Sequence, residues 1–305
     1  MNHFIAITDH STDWLQHVLD VSKRLKKQLK DTGRNEPILA GKTLAMIFEK
    51  PSLRTRVSFS TGMVQLGGAS LMLRGEEMGW GHREEVRDVA RVIASMCDGI
   101  MARTFEHAKV LELAKWSRVP VLNGLTDYNH PCQAMADFLT IEEHFGKLSG
   151  LTIAFIGDGN NVARSLAVLC GKLGVRFLLA RPDGYGFPAE FIKNYTTHVG
   201  PTPPDELTDA AAAVKKADVI YTDVWTSMGQ EAERDDRLRV FAPYQVNAAL
   251  LKQAPKHAKV LHCLPAHRGE EITDDVIEGP ASAVFQQAGN RMHAQKAILE
   301  WLLKG

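Results

Sequence analysis

No two cysteines in this chain stand at metal-binding or redox spacing. The four present, Cys97, Cys132, Cys170 and Cys263, are scattered without a CxxC pair. That spacing argues against a zinc site and against a disulfide framework. No apolar run approaches ~18 residues, so no membrane span is expected. The opening MNHFIAITDHS is too polar for a secretory leader, and the expected location is cytoplasmic. Net charge is missing too, with 36 basic against 36 acidic side chains. That balance argues against bulk nucleic-acid or polyanion binding but leaves room for a local anion pocket. Neither an internal repeat nor a low-complexity tract occurs. What remains is an ordinary soluble composition, 45% hydrophobic and 24% charged over 305 residues. That length suggests two domains.

Apolar runs and helical periodicities alternate through the chain. A first helix is expected over 13–32, its lysine-rich face solvated. The run KTLAMIF (42–48) reads as a buried strand, followed by a helix over 52–66 and a strand over 69–73. GEEMGWGHREE (75–85) reads as a glycine-rich loop, mobile or acting as a lid, with Trp80 at the surface. Helices at 86–96, 108–115 and 131–144 alternate with strands at 98–103 and 119–123. Gly146 to Gly150 suits a hinge. The second half repeats the alternation, with strands at 151–156, 175–180, 219–222 and 259–262. Its helices are expected at 162–173, 211–217 and 292–303, with a short helix in 181–205 and an exposed charged loop over 230–240. The pattern predicts an α/β protein of two parallel-sheet domains.

In such folds ligands sit at the carboxyl ends of strands. Six polar segments fall there: 52–56, Arg103, 130–133, 157–161, 223–229 and 262–268. Pro51 stops the first strand and Ser52 is a good N-cap, so 48–59 reads as strand, tight turn and helix start. Free N–H groups there, beside Arg54, Arg56 and Thr55, form an anion site, and Arg54 can grip a phosphate with two parallel bonds. An ordinary helix start with solvated arginines fits the same residues. Arg103 closes a strand, where a charge calls for a partner. His130 precedes Pro131, which favours an extended backbone. GDGNNV (157–162) lacks the third glycine of a dinucleotide fingerprint. Cys263 follows His262, but neighbours on a strand face opposite ways, against a Cys–His nucleophile pair.

Together these segments resemble the aspartate/ornithine carbamoyltransferase family, and within it the ornithine branch. The resemblance rests on FEKPSLRTRVSF (48–59), Arg103, HPCQ (130–133), GDGNN (157–161), DVWTSMG (223–229), HCLP (262–265) and AGNRMHAQK (288–296). They span nearly the whole chain in the family's order. The resemblance implies a carbamoyl phosphate-binding domain over 1–146, on which a C-terminal helix (290–305) packs, and an ornithine-binding domain over 147–289. It implies transfer of the carbamoyl group to the δ-amine of L-ornithine, giving citrulline and phosphate, in arginine biosynthesis. No metal and no cofactor is expected, and the family's assembly implies a homotrimer with active sites at subunit interfaces.

By position, Ser52, Arg54, Thr55 and the Leu53 amide would hold the phosphate. Arg103, His130 and Thr55 would polarise the carbamoyl oxygen, Gln133 would hold the carbamoyl amide, and Arg291 would reach the ligand from the last helix. Asn161, Asp223, Ser227 and Met228 would bind ornithine. Cys263 and Leu264 would line the reacting centre, with Asp223 and Cys263 orienting the amine. Two positions depart from the family's pattern. Leu53 stands where threonine is common. Gly79 stands where a glutamine or histidine of a neighbouring subunit contacts phosphate, which leaves Trp80 or His82 for that task, or no such contact at all. The alternatives are a carbamoyltransferase for another amine or for N-acylated ornithine, a nucleotide-dependent oxidoreductase, and a non-catalytic homologue.

Overall fold

A computed structural model describes residues 2–80, 83–227 and 229–304, with Glu77 by its backbone only. The chain divides into two compact units, Met1–Leu139 with Gly289–Gly305, and Thr140–Ala288.

The first unit opens with α1 (Thr12–Thr32), capped by Ser11 and ended by Gly33 at φ 72°. Then come β1 (Thr43–Phe48), α2 (Leu53–Gln65), β2 (Ala69–Arg74), the single turn α3 (Gly75–Met78) and α4 (Val86–Ala94). β3 (Gly99–Arg103), α5 (His107–Trp116) and β4 (Val121–Leu125) follow, and then α6 (Pro131–Phe145). The four strands form a parallel sheet in the order β2-β1-β3-β4. The inner strands β1 and β3 are buried nearly throughout, as continuous apolar runs in a parallel sheet must be. β2 lies at the edge and is partly exposed.

The second unit holds β5 (Thr152–Ile156), α7 (Asn161–Leu173), β6 (Arg176–Ala180), α8 (Ala189–His198) and β7 (Asp205–Leu207). It continues with α9 (Ala210–Val214), β8 (Val219–Thr222), α10 (Arg234–Phe241), α11 (Ala248–Leu251), β9 (Lys259–His262) and α12 (Asp274–Ile277). The last helix, α13, spans Val284–Leu303. Five parallel strands run in the order β7-β6-β5-β8-β9. Order reverses beside β5, so the ends of β5 and β8 flank a switch point where such sheets bind ligands. The fold class is the expected one, and the final portion of α13 belongs to the first unit. There Lys296 Nζ donates to Asn35 Oδ1 (2.7 Å) and Gln65 Oε1 (2.9 Å).

Four local expectations are corrected. Segment 75–85 begins as a helix rather than a loop, and Trp80 is 2% exposed. The indole packs with Val86 and Val89 in the core of the first unit, where burying its large apolar face outweighs the polar residues around it in sequence. Residues 230–240 carry α10 rather than a loop, because Arg237 turns inward to Asp158, Glu233 and the Trp225 carbonyl. The last helix begins eight residues earlier than expected, with buried Gln287, Asn290 and Arg291 breaking the apolar period. Residues 205–207 add the edge strand β7 where no strand was expected. Among the described residues no helix is long and apolar enough to cross a membrane.

Candidate active site

In the first unit the junction of β1 and α2 forms as its residues dictate. Ser52 is extended at φ −158°, and its hydroxyl caps α2 by accepting from the Thr55 amide at 3.4 Å. Thr55 is fully buried, one turn inside the helix, while Leu53 and Arg56 are exposed. Arg103 closes β3, where the register against β4 slips: Ala102 pairs with Asn123 but Arg103 with Leu125. The extra residue is Gly124, where a Cβ would lie 2.6 Å from Met101 Sδ. Such a bulge bends β4 and breaks the ladder beside the end of β3. Arg103 Nη1 points to Thr55 Oγ1 at 3.4 Å.

α6 supplies His130, just ahead of Pro131, and Gln133 in its first turn. α13 supplies Arg291, which is 2% exposed. Arg291 Nη2 donates to Thr55 Oγ1 at 2.9 Å, its Nη1 lies 3.5 Å from His130 Nε2, and it also donates to Gln133 Oε1. Arginine only donates, so the imidazole nitrogen facing it holds the lone pair. Burial first, then the charges of Arg291, Arg103 and Arg54, hold His130 well below the usual imidazole range. His130 is therefore neutral at pH 7. Gln133 Nε2 donates to Asp137 Oδ1 at 2.7 Å. The amide is thus oriented from both ends. Cys132, between them, is a structural thiol. Burial pushes it up to about 12, and its Sγ donates to the Asn123 carbonyl. A cavity of about 370 Å³ also opens in this unit, lined by Phe48, Lys50, Ser52, Leu53, Arg56 and Arg74 among others.

In the second unit Asp223 follows β8 directly. Its Oδ1 accepts from Cys263 Sγ and from the Val224 amide, each at 2.9 Å. Its Oδ2 accepts from Asn160 Nδ2 at 2.8 Å. Asn160 is also the N-cap of α7, accepting from the Val162 and Ala163 amides. Asn161 is the first helical residue beyond it, and its carbonyl accepts from Ser165 Oγ. Ser227 is held at its amide by Gln230 Oε1 at 3.0 Å. Met228 lies outside the described residues, as does His82. Leu264 is at φ 57°, and Cys263 is half-buried.

The structure thus brings Thr55, Arg103, His130, Gln133 and Arg291 together in one unit. It brings Asp223 and Cys263 together in the other. Sequence reasoning missed Asp137 and Asn160. Asp137 was visible as the residue one turn beyond Gln133 on the same helix face. Asn160 was hidden because a helix read from 162 gives the capping role to Asn161, whereas the helix starts one residue earlier. Ligand atoms of Asp223, His262 and Cys263 lie within 4.8 Å of one another, close enough for a metal ion. Both nitrogens of His262 are, however, engaged by the Leu264 amide and by Glu271. In a second such group, His267, Glu270 and Glu271, Glu270 pairs with Arg234.

Comparison with known proteins matches both units to one family. The carbamoyl-P binding domain of aspartate/ornithine carbamoyltransferase matches residues 2–143, and the Asp/Orn binding domain matches residues 149–302. The chain belongs to the aspartate/ornithine carbamoyltransferase family. Among its relatives, the ornithine carbamoyltransferase of Bacillus subtilis is 57% identical over 98% of this chain and 93% of that protein. The one from Anoxybacillus flavithermus is 51% identical over 98% and 96%. The solved ornithine carbamoyltransferase of Pyrococcus furiosus superposes with a TM-score of 0.94 at 46% identity, covering 100% of this chain and 97% of that one.

Proposed function

We propose that this protein transfers the carbamoyl group of carbamoyl phosphate to the δ-amine of L-ornithine, releasing citrulline and phosphate. The observation that carries the reading is the convergence of Arg103 and Arg291 on one buried hydroxyl, Thr55, beside a neutral His130. Phosphate sits at the N-terminus of α2, on Ser52, Arg54, Thr55 and the Leu53 amide, where helix N–H groups favour an anion. Arg103, His130 and Thr55 face the carbamoyl oxygen as charge builds on it. Gln133, oriented by Asp137, holds the carbamoyl NH₂, and Arg291 adds a cation. Asn161, Asp223, Ser227 and Met228 bind ornithine, and Cys263 and Leu264 line the reacting centre. An amine of pKa ~10.4 costs roughly 4 kcal/mol to deprotonate near neutral pH. Asp223, held by Cys263 and Asn160, orients that amine, and the departing phosphate accepts its proton. Donors already aimed at the developing oxyanion supply ~3–4 kcal/mol each, and juxtaposing two substrates supplies much of the remainder.

The first unit is the carbamoyl phosphate-binding domain and the second the ornithine-binding domain. The chain works as a homotrimer in the cytoplasm. Exposed Leu53, Val57 and Val64 on α2 and Leu71 on the edge strand β2 support that assembly. So does the cavity beside Ser52 and Leu53, which offers a neighbouring subunit's loop a place next to the phosphate. Trp80 is committed to its own core and does not replace the family's phosphate contact. The pathway is arginine biosynthesis, in keeping with the Pyrococcus furiosus relative described as anabolic. A citrulline colour assay with ornithine and carbamoyl phosphate tests the reading. No citrulline, or a strong preference for acetylornithine or putrescine, overturns it, and sedimentation velocity tests the trimer.

A further inference from the structure

Beside Cys263 and Leu264 lies a buried network that no substrate group in the proposed reaction touches. His262 ends β9 with its side chain fully enclosed, and so is the side chain of Glu271. His262 Nδ1 accepts from the Leu264 amide at 2.8 Å. An amide only donates, so Nδ1 carries a lone pair, and the ring's proton belongs on Nε2. That nitrogen lies 3.0 Å from Glu271 Oε1, which also accepts from the His267 amide at 2.6 Å. The His262 amide is held in turn by Gln287 Oε1 at 2.9 Å, and Gln287 Nε2 donates to the Tyr221 hydroxyl at 3.1 Å.

The strained element is Leu264. Among the described residues it is the one non-glycine at positive φ, 57°. A side chain bearing a Cβ stays there only when its surroundings enforce it. Here the enforcing contact is its own N–H on the imidazole two residues back. The other tautomer, or an imidazolium, would set two N–H groups against each other at that contact. The turn also fixes Cys263, whose thiol donates to Asp223.

We propose that Glu271 is a positioning residue for the reacting centre. By accepting from Nε2 it fixes the tautomer of His262, which holds Leu264 in its turn and aims the Cys263 thiol at Asp223. An apolar neighbour could fill the same space without choosing between the tautomers. Glu271 is anchored for the task by the His267 amide, so the 262–271 segment closes on itself. Only the rate consequence rests on the function proposed above. The geometric part stands independently of it.

Two variants test this. Glu271→Gln keeps an oxygen that accepts from both N–H groups, whereas Glu271→Leu removes it. Three quantities are read: iodoacetamide alkylation of Cys263 by peptide mapping, steady-state citrulline formation, and circular dichroism for folding. In Glu271→Leu the alkylation rate should change at least about fivefold, as a thiol re-aimed from its carboxylate requires. Its kcat should fall about 30-fold or more, with either KM moving less than kcat. Glu271→Gln should bring each back to within about threefold of wild type. A folded Glu271→Leu with wild-type alkylation and turnover overturns the proposal, as does a Glu271→Gln equally impaired. If Glu271→Leu does not fold, Glu271→Gln together with the ¹⁵N tautomer signature of His262 in the unmodified protein decides. A neutral ring protonated at Nε2 is expected, and Nδ1 protonation overturns the proposal. A wild type that makes no citrulline refutes the proposed reaction, while alkylation and tautomer still judge Glu271.

Discussion

Replacing Arg103 by methionine should abolish most turnover while leaving the fold intact. Methionine keeps the unbranched apolar stem and removes the guanidinium. In the empty protein the direct loss is small, since the Arg103–Thr55 contact is long, at 3.4 Å. In the proposed reaction the loss is a preaimed cationic donor to the carbamoyl oxygen, which is worth about 3–4 kcal/mol, or roughly 10²–10³ in kcat. A second effect follows from His130. Its suppression below the ordinary range comes first from burial, then from Arg291, Arg103 and Arg54 in turn. Deleting one cation raises the His130 pKa, though burial keeps it below the ordinary value. A lowered pKa means the neutral ring survives to more acid pH. The acid limb of the pH–rate profile should therefore move to higher pH in the variant. The assay is citrulline formation at saturating carbamoyl phosphate across the acid limb, with the melting temperature as the control for folding. Turnover within about tenfold of wild type would remove Arg103 from the oxyanion site. An unmoved acid limb would separate Arg103 electrostatically from His130.

Other perturbations read out neighbouring parts. Thr55→Val deletes the acceptor of both Arg103 and Arg291, and KM for carbamoyl phosphate should rise ~10-fold or more, as for a lost hydrogen bond to charge. An unchanged KM refutes that role. Asp223→Asn leaves one oxygen where Cys263 and Asn160 now engage two. Ornithine turnover should drop ~30-fold with little change in KM for carbamoyl phosphate; a drop confined to the latter substrate would contradict it. Lys296 is buried between neutral amides, and burial lowers it to about 8. An unfolded lysine titrates near ~10.4, so between those values the unfolded chain binds more protons and stability rises with pH, by up to ~3 kcal/mol. Lys296→Met should lack that rise in urea titrations at pH 7.5 and 10, and parallel pH dependences in the two proteins would refute it.

The junction of β1 and α2 was legible because every local signal agrees there: a buried apolar run, a proline that ends it, and a serine that caps the helix. Arg103 was legible because a strand-end charge stands out against GIMA. Trp80 was not, since glycines and charges surround it and only the packing against α4 and Lys109 shows where the indole goes. α10 and the start of α13 were hidden for the opposite reason. Arg237, Gln287 and Arg291 are polar residues on buried faces, and periodicity counts only apolar ones. Their partners, Asp158, Tyr221 and Thr55, lie 79, 66 and 236 residues away. A reading of local windows finds the residues and cannot see who satisfies them. Glu271 was missed likewise, because nothing near it in sequence marks a carboxylate that sets a histidine's tautomer.

The hydroxyl of Thr55 gathers arginines from 48 and 236 residues further along the chain. On a ribosome adding ~5–20 residues per second, roughly 12–47 s separate the synthesis of Thr55 from that of Arg291. For most of that interval the emerging first unit has its helix start, Arg103 and His130, yet lacks its last cation. Arg291 arrives on the same helix whose Lys296 reaches back to Asn35 and Gln65. Docking of that helix therefore completes the core and supplies the cation in one event. On the proposed function, a nascent or truncated chain without it would hold an acyl phosphate poorly, and competence for the ligand would mark a finished polypeptide.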